Sequence, residues 1–410
     1  MNAASWRAPA GVASAAALLL AVMAWRGERW LLVFASMGDT WEYLDAAAGL
    51  AAGSLPKTIR TLGYPAFLAV TAAPIGILGV LAAQVVLLGW TVWRVQGFAA
   101  RLAPDARPGA HQAAAALVGL FCLGHSVTLM TDFLCALAVF SAFDAGLRDR
   151  RGAAFGWGLA AALLRPTWAM APPVVLLLAL WDRRSAWWAL LAGLVLGLGL
   201  SVAHQRHTAD TWRPSRVVTM NLRGFTQTAA PGLTPTCDAL RGPGGGAGSE
   251  PADADRGGAA PPQRRGDLEA FARRVASAPA AHARLAAGMV LRYTLAPVER
   301  PVHIVWQMSR GGDEPPDADS AVQRSGDHPL PRWVRAICFV LTLPALLLLA
   351  WPAGRRRDRW ILPMGVGLFL VLVSTIAPFQ GERMRLPAVL LLAGNAAANL
   401  EHLVRRWWRR

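Results

Sequence analysis

Gly38-Asp39-Thr40-Trp41-Glu42-Tyr43-Leu44-Asp45 lies between two apolar stretches, residues 10–34 and 64–96, and Thr61-Leu62-Gly63-Tyr64-Pro65 leads into the second. Carboxylates are expensive inside a bilayer. An acidic segment between two apolar runs therefore reads as a polar loop just outside a membrane. Asp39, Glu42 and Asp45 are spaced i, i+3, i+6, which puts them roughly on one side of a helix. A polar site against a hydrophobic wall suits a substrate with an apolar tail and a polar head.

Composition supports a membrane reading. The chain has 410 residues, 54% hydrophobic and 16% charged, against about 25% charged in soluble domains. Its formal charge of +16 is almost all arginine, since Lys57 is the single lysine. The arginines sit at the ends of apolar segments, so they read as topology signals rather than a nucleic-acid surface. Heavy Ala, Gly and Arg use fits a GC-rich bacterial genome. Cys122, Cys135 and Cys338 lie in apolar runs and Cys237 in a hydrophilic one. With no CxxC or Cys/His cluster, neither a zinc site nor a disulfide framework is suggested. Arg7 followed by the apolar Gly11–Trp25 reads as a first span, because many more follow.

Apolar segments fall at 10–34, 64–96, 111–127, 128–147, 152–164, 167–181, 186–204, 333–352, 360–377 and 386–403. Arg26-Gly27-Glu28-Arg29 interrupts the first, and Pro74 and Gly76 the second. With ten spans and a cytoplasmic N-terminus, five arginine clusters share the cytoplasmic side. These begin at Arg94, Arg148, Arg183, Arg355 and Arg405. The opposite side then collects the Asp39–Tyr64 loop, the 125–132 turn with His125 and Asp132, the Arg165-Pro166-Thr167 turn, and Gln380 to Arg385. The expected fold is an all-α polytopic transmembrane bundle of about ten spans. Its parts are an N-terminal core (1–204) with the first external loop at 35–64, an extracytoplasmic insert (205–332), and C-terminal spans with a basic tail (333–410). Within the insert, 240–266 is Gly/Pro-rich and predicted disordered. Residues 267–296 carry a helical apolar pattern interleaved with arginine, predicting amphipathic helices on the membrane or over the site.

Asp39, Tyr43 four residues on, a small-residue helix and then Gly63-Tyr64-Pro65 resemble the GT-C superfamily, membrane glycosyltransferases that use polyprenyl-phosphate sugars. The likeness is to the branch of protein O-mannosyltransferases and the lipid A aminoarabinose transferase. Asp132 is similar to the family's second acidic residue and Leu164-Arg165-Pro166 to its Arg-Pro turn. Glu382-Arg383-Met384-Arg385-Leu386-Pro387 resembles its late Glu-Arg-Tyr-Arg-Leu-Pro element, with Met384 in the aromatic's place. The resemblance covers 10–204 and 333–403.

It implies an inverting transfer from a polyprenyl-phosphate sugar donor to a glycan, lipid or protein acceptor. The site would face outward from a bacterial inner membrane. Asp39 takes the general base's place, and Asp132 is the second catalytic carboxylate. Departing phosphate is best held by guanidinium forks. Arg383 and Arg385 are the candidates, then Arg165 and Arg60. Glu42, Tyr43, Tyr64 and Glu382 line the substrate site. Asp132, with Glu42, is the candidate ligand pair for a divalent metal cation, the one cofactor considered; metal assistance stays open. Membrane lipids are expected partners and nucleic acid is not.

Blander readings stand beside these. Asp39 and Glu42 also form a capping-box variant opening a helix over 40–51. Asp132 reads equally as a helix N-cap, Arg383 and Arg385 as snorkelling arginines, and Tyr64 as an interfacial aromatic. His125 reads as a packing histidine, and His204 and His207 as residues of the aqueous margin. The alternative function is a membrane transporter or lipid-linked glycan flippase, for which mid-span ionisable residues and internal repeats are expected.

Overall fold

The structure, a computed structural model, describes residues 6–36, 40–56, 58, 60–165, 171–209, 212, 275–295, 298–310, 330–350 and 385–408. Asp39, Glu382 and Arg383 lie outside these residues. So do the 240–266 stretch, the apolar segment 360–377 and most of the insert.

Every described element is a helix, and no strand occurs among the described residues. In chain order they are α1 (Arg7–Trp25), α2 (Glu28–Ala35), α3 (Thr40–Ala51), α4 (Gly63–Leu102), α5 (Pro108–Ser126), α6 (Thr131–Leu147) and α7 (Arg151–Leu164). Then come α8 (Pro172–Asp182), α9 (Ser185–Ala209), α10 (Pro279–Leu295), α11 (Arg300–Arg310), α12 (Arg332–Ala350), α13 (Leu386–Leu391) and α14 (Ala393–Trp407).

Among the described residues, four helices are long and apolar enough to cross a membrane: Arg7–Trp25, Ile75–Leu102, Ser185–Thr208 and Arg332–Leu349. That is fewer than the ten segments read from the sequence. The helices α6, α7 and α8 have 17, 14 and 11 residues, short of the ~20 that a perpendicular crossing needs. Both expected interruptions occur. Gly27 has φ 94° between α1 and α2, and Gly76 has φ 64° and ψ −177° within α4. Both glycines hold left-handed backbone that a side chain would strain.

The centre of the bundle is α6. Every residue from Thr131 to Gly146 is buried, as expected of a helix that is apolar all round. It packs against α7 and α13, and also touches α4, α5 and α9. The pairing of α7 with α9 is close because Gly193 and Gly197 of α9 face the α7 backbone at Phe155 and Leu159. Small residues permit such approaches between apolar helices. Leu18, Val70, Val86, Leu177 and Leu341 are exposed on the outside, where a lipid-facing surface needs apolar side chains. The last carbonyls of α12 are satisfied from α14: Asn395 Nδ2 donates to Leu349 O at 2.6 Å and Asn399 Nδ2 to Leu348 O at 2.7 Å.

The insert contributes two described helices. Within the predicted 267–296 region lies α10, packed on α12. A second helix, α11, was not expected. Its residues Arg300, Ile304 and Met308 are buried at i, i+4, i+8 while Val305 is exposed. Arg26 Nη2 donates to Met308 O at 3.1 Å, fastening α11 to the break between α1 and α2.

Candidate functional site

Six residues picked out from the sequence, Glu42, Tyr43, Arg60, Tyr64, Asp132 and Arg165, come together at one end of α6, carried by four separate segments. Asp132 lies in the first turn of α6, but it is not the cap: Met130 holds that position, and no side chain caps the helix. The N-cap reading is therefore set aside. The Asp132 carboxylate instead meets a guanidinium, with Arg165 Nη2 2.6 Å from Oδ1. The Asp132 side chain is 0% exposed and that of Arg165 13%. Burying an ionised carboxylate costs several kcal/mol unless a charge answers it, and Arg165 supplies such a charge.

The Gly-Tyr-Pro element and the Arg-Pro turn are in direct contact. A Cβ on Gly63 would lie 2.5 Å from Leu163 O and 2.8 Å from Leu164 N. Only glycine lets the start of α4 rest on the end of α7 there. Thr61 Oγ1 donates to Leu164 O at 3.2 Å, completing the joint. These contacts bring Tyr64 beside the residue that precedes Arg165.

Tyr64 is fully buried and its hydroxyl has no hydrogen-bond partner among the described residues. It lies within electrostatic reach of Asp132 and Tyr43. The Tyr43 and Tyr64 rings meet edge to face at 5.2 Å, and Phe67 stacks on Tyr64 at 6.0 Å. Arg60 covers the outer side of Tyr43, its Cζ 6.0 Å from the ring centroid, and its Nε donates to Glu42 Oε2 at 2.7 Å. Glu42 is the half-exposed rim of the cluster, and Asp45 is exposed.

Distant residues hold this arrangement, and the sequence reading missed them. Gln84 Nε2 donates to the carbonyls of Ser126 and Thr128, at 3.3 and 3.1 Å, bracing the α5–α6 turn. Leu129 of that turn donates from its N–H to Ala35 O at 2.8 Å and accepts from Thr40 Oγ1 at 3.2 Å. The residues bracketing 37–39 are thus both tied to one point, three residues before Asp132. Arg300 Nη2 donates to Phe34 O at 2.9 Å and Ser36 O at 3.2 Å. His204 Nε2 donates to Pro56 O at 3.0 Å, and Gln205 Nε2 to Thr58 O at 2.8 Å, steadying the loop that presents Arg60. A lone buried glutamine or histidine in an apolar run gives no sign of which distant carbonyl it serves.

Not every candidate joins the cluster. Arg385 is buried just ahead of α13, with its guanidinium 4.9 Å over the Phe121 ring of α5. Asp39, Glu382 and Arg383 are not among the described residues. Asp132 and Glu42 each face a guanidinium, Arg165 and Arg60 respectively. No group of three His, Cys, Asp or Glu gathers among the described residues.

The other end of α6 carries a second buried carboxylate that the sequence reading passed over. Asp144 accepts from Arg94 Nη2 at 3.0 Å, from Arg148 Nε at 3.0 Å, and from Arg101. Asp149, just beyond, accepts from the Ala186 N–H at 2.9 Å and from Ser185 Oγ at 3.0 Å, so it caps α9 from another segment. Those two hydrogen bonds, the backbone one first, hold its carboxyl below the usual range.

No family model matches the chain, and neither a curated protein nor a solved structure is significantly similar to it.

Proposed function

We propose that this chain is a GT-C-like glycosyltransferase of a bacterial inner membrane. It would take a sugar from a polyprenyl phosphate and pass it to an acceptor on the extracytoplasmic face. The topology proposed with it is the ten-span one, with the Asp132 end of α6 outward. The observation that carries the reading is the buried Asp132–Arg165 pair, at the place where Gly63-Tyr64-Pro65 touches the end of α7.

The chemistry follows from the groups present. An acceptor hydroxyl oxygen forms a bond to the anomeric carbon. The bond from that carbon to the phosphate oxygen breaks, and its electron pair leaves with polyprenyl phosphate. The acceptor proton goes to a carboxylate, a role the resemblance gives to Asp39. Arg165 carries a guanidinium, which can grip phosphate oxygens as charge develops on them. Asp132 fixes the orientation of that guanidinium. The Tyr64 hydroxyl, buried with no partner among the described residues, can bond a sugar or phosphate oxygen. Glu42 with Arg60 forms the rim.

The test needs no knowledge of the acceptor. Polyprenyl-phosphate sugars are measured by lipid mass spectrometry in a gene-deletion strain complemented with wild type or Asp39→Asn. One sugar-lipid should accumulate in the deletion and with Asp39→Asn, and clear with wild type. Clearance by both proteins would remove Asp39 from the mechanism. An unchanged pool in every strain would count against the transferase and for the transporter reading.

A further inference from the structure

The unassigned charge in this molecule lies at the far end of α6. Three guanidiniums, from Arg94, Arg101 and Arg148, converge on the one carboxylate of Asp144. Asp144 is buried, the Arg94 side chain is 15% exposed, Arg148 29% and Arg101 41%. Their other contacts carry no negative charge: Arg94 Nη1 donates to Ser141 Oγ at 2.6 Å, and its guanidinium lies over the Trp90 and Phe140 rings. Arg101 lies over Phe98. Of the nearby carboxylates, Glu401 is engaged with Arg107 and Arg405, Asp182 with Arg184, and Asp149 with the start of α9, while Asp105 is exposed to solvent. Arg150 adds positive potential at Arg94.

Three positive charges against one negative leave a surplus of two. The C-termini of α4 and α6 both end here, and each offers about half a negative charge. What remains is about one positive charge, the complement of one monoanionic phosphate. It is half-buried, where water answers a charge less fully than at an open surface. No more than two nitrogens of any of the three guanidiniums are used, so donors remain for an anion. Arg101 lies in the last turn of the Ile75–Leu102 span and Arg148 follows the end of α6, so the exposed guanidiniums lie at the level of lipid headgroups.

We infer that Arg94, Arg101 and Arg148, gathered by Asp144, form a binding site for the phosphate of an anionic phospholipid headgroup. The inference is independent of the proposed transferase activity. Asp144 acts as the template: it holds three mutually repelling cations close enough for one phosphate to bridge them.

The full chain, purified in neutral detergent, is titrated with phosphatidylglycerol, phosphatidylcholine and inorganic phosphate, and bound lipid is counted by native mass spectrometry. An arginine beside an anionic headgroup is worth about fivefold. Wild type should prefer phosphatidylglycerol to phosphatidylcholine by about tenfold or more, and R101Q/R148Q should bring the two within about twofold. R101K/R148K, which keeps the charge, should retain most of the preference. If the glutamine pair fails to fold, Arg148→Gln alone is read, with an expected loss of about fivefold. Equal binding of the two lipids by wild type, or a preference that survives the glutamine changes, overturns the site. Displacement of phosphatidylglycerol by equimolar inorganic phosphate keeps the anion site and overturns the lipid as its source.

Discussion

The two ends of α6 solve the same problem in opposite ways. Asp132 and Asp144 are both buried carboxylates on one helix, separated by about 18 Å of axis. Among the described residues Asp132 meets the guanidinium of Arg165, beside a buried tyrosine hydroxyl that has no described partner. Asp144 is wrapped by three guanidiniums and is itself fully satisfied. The first end sets a buried ion pair against the Tyr43, Tyr64 and Phe67 rings. The second uses its carboxylate to hold cations together, and leaves positive charge toward the headgroup layer. A buried charge therefore does not announce its role; the count and exposure of its partners does.

The sharpest way to break this comparison is Asp144→Asn. Removing the one anion from three converging cations should cost about 3–5 kcal/mol of stability, read as a fall in thermal midpoint in detergent. Turnover per folded molecule should be unchanged. A small stability loss would mean the three arginines are not held by Asp144. At the other end, Asp132→Asn should cut sugar transfer about 100-fold by misplacing Arg165, measured as initial rate with the accumulated donor lipid. Tyr64→Phe separates ligand binding from packing. Transfer should fall about tenfold if the hydroxyl meets substrate, while the thermal midpoint stays level because no protein bond is lost. A stability loss would place the hydroxyl in the scaffold instead.

The smallest effect concerns the cap from Asp149. Its carboxyl titrates lower in the folded protein than in the unfolded chain, owing to the Ala186 N–H and Ser185 Oγ. A group with a depressed folded pKa stabilises above its unfolded pKa of about 3.9, and that stabilisation is lost as pH falls through the folded value. Asp149→Asn should therefore lower the neutral midpoint slightly and flatten the acid limb of the stability curve, the two proteins converging at low pH. An acid limb identical to wild type would remove Asp149 from the account.

Much of the Asp132 end was legible in the sequence, because its residues break local patterns. Arg26-Gly27-Glu28-Arg29 and Gly76 interrupt apolar runs, and the backbone departs from helix at both glycines. The helix over 40–51 follows its sequence limits. Tyr43, Tyr64, Asp132 and Arg165 stand out as polar or acidic residues at the margins of apolar segments. The Asp144 end was hidden by a rule that is usually sound. Arginines at span ends are read as solvated topology markers, so nothing in Arg94, Arg101 and Arg148 hinted that they turn inward to one carboxylate. The helix α11 was missed for a different reason. Its buried face holds only Arg300, Ile304 and Met308, too few apolar residues to rise above a basic loop. Arg300 and Gln84 act through backbone carbonyls far away in sequence, and carbonyls carry no sequence signature.

The central claim is that the Asp132 end performs the chemistry and the Asp144 end does not. The direct measurement is the polyprenyl-phosphate sugar pool in the deletion strain, complemented in parallel with wild type, Asp132→Asn or Arg148→Gln at matched protein levels. The account predicts that the sugar-lipid stays accumulated with Asp132→Asn and clears with Arg148→Gln as with wild type. Clearance by Asp132→Asn together with accumulation in Arg148→Gln would move the active end of the molecule to the arginine cluster and contradict it.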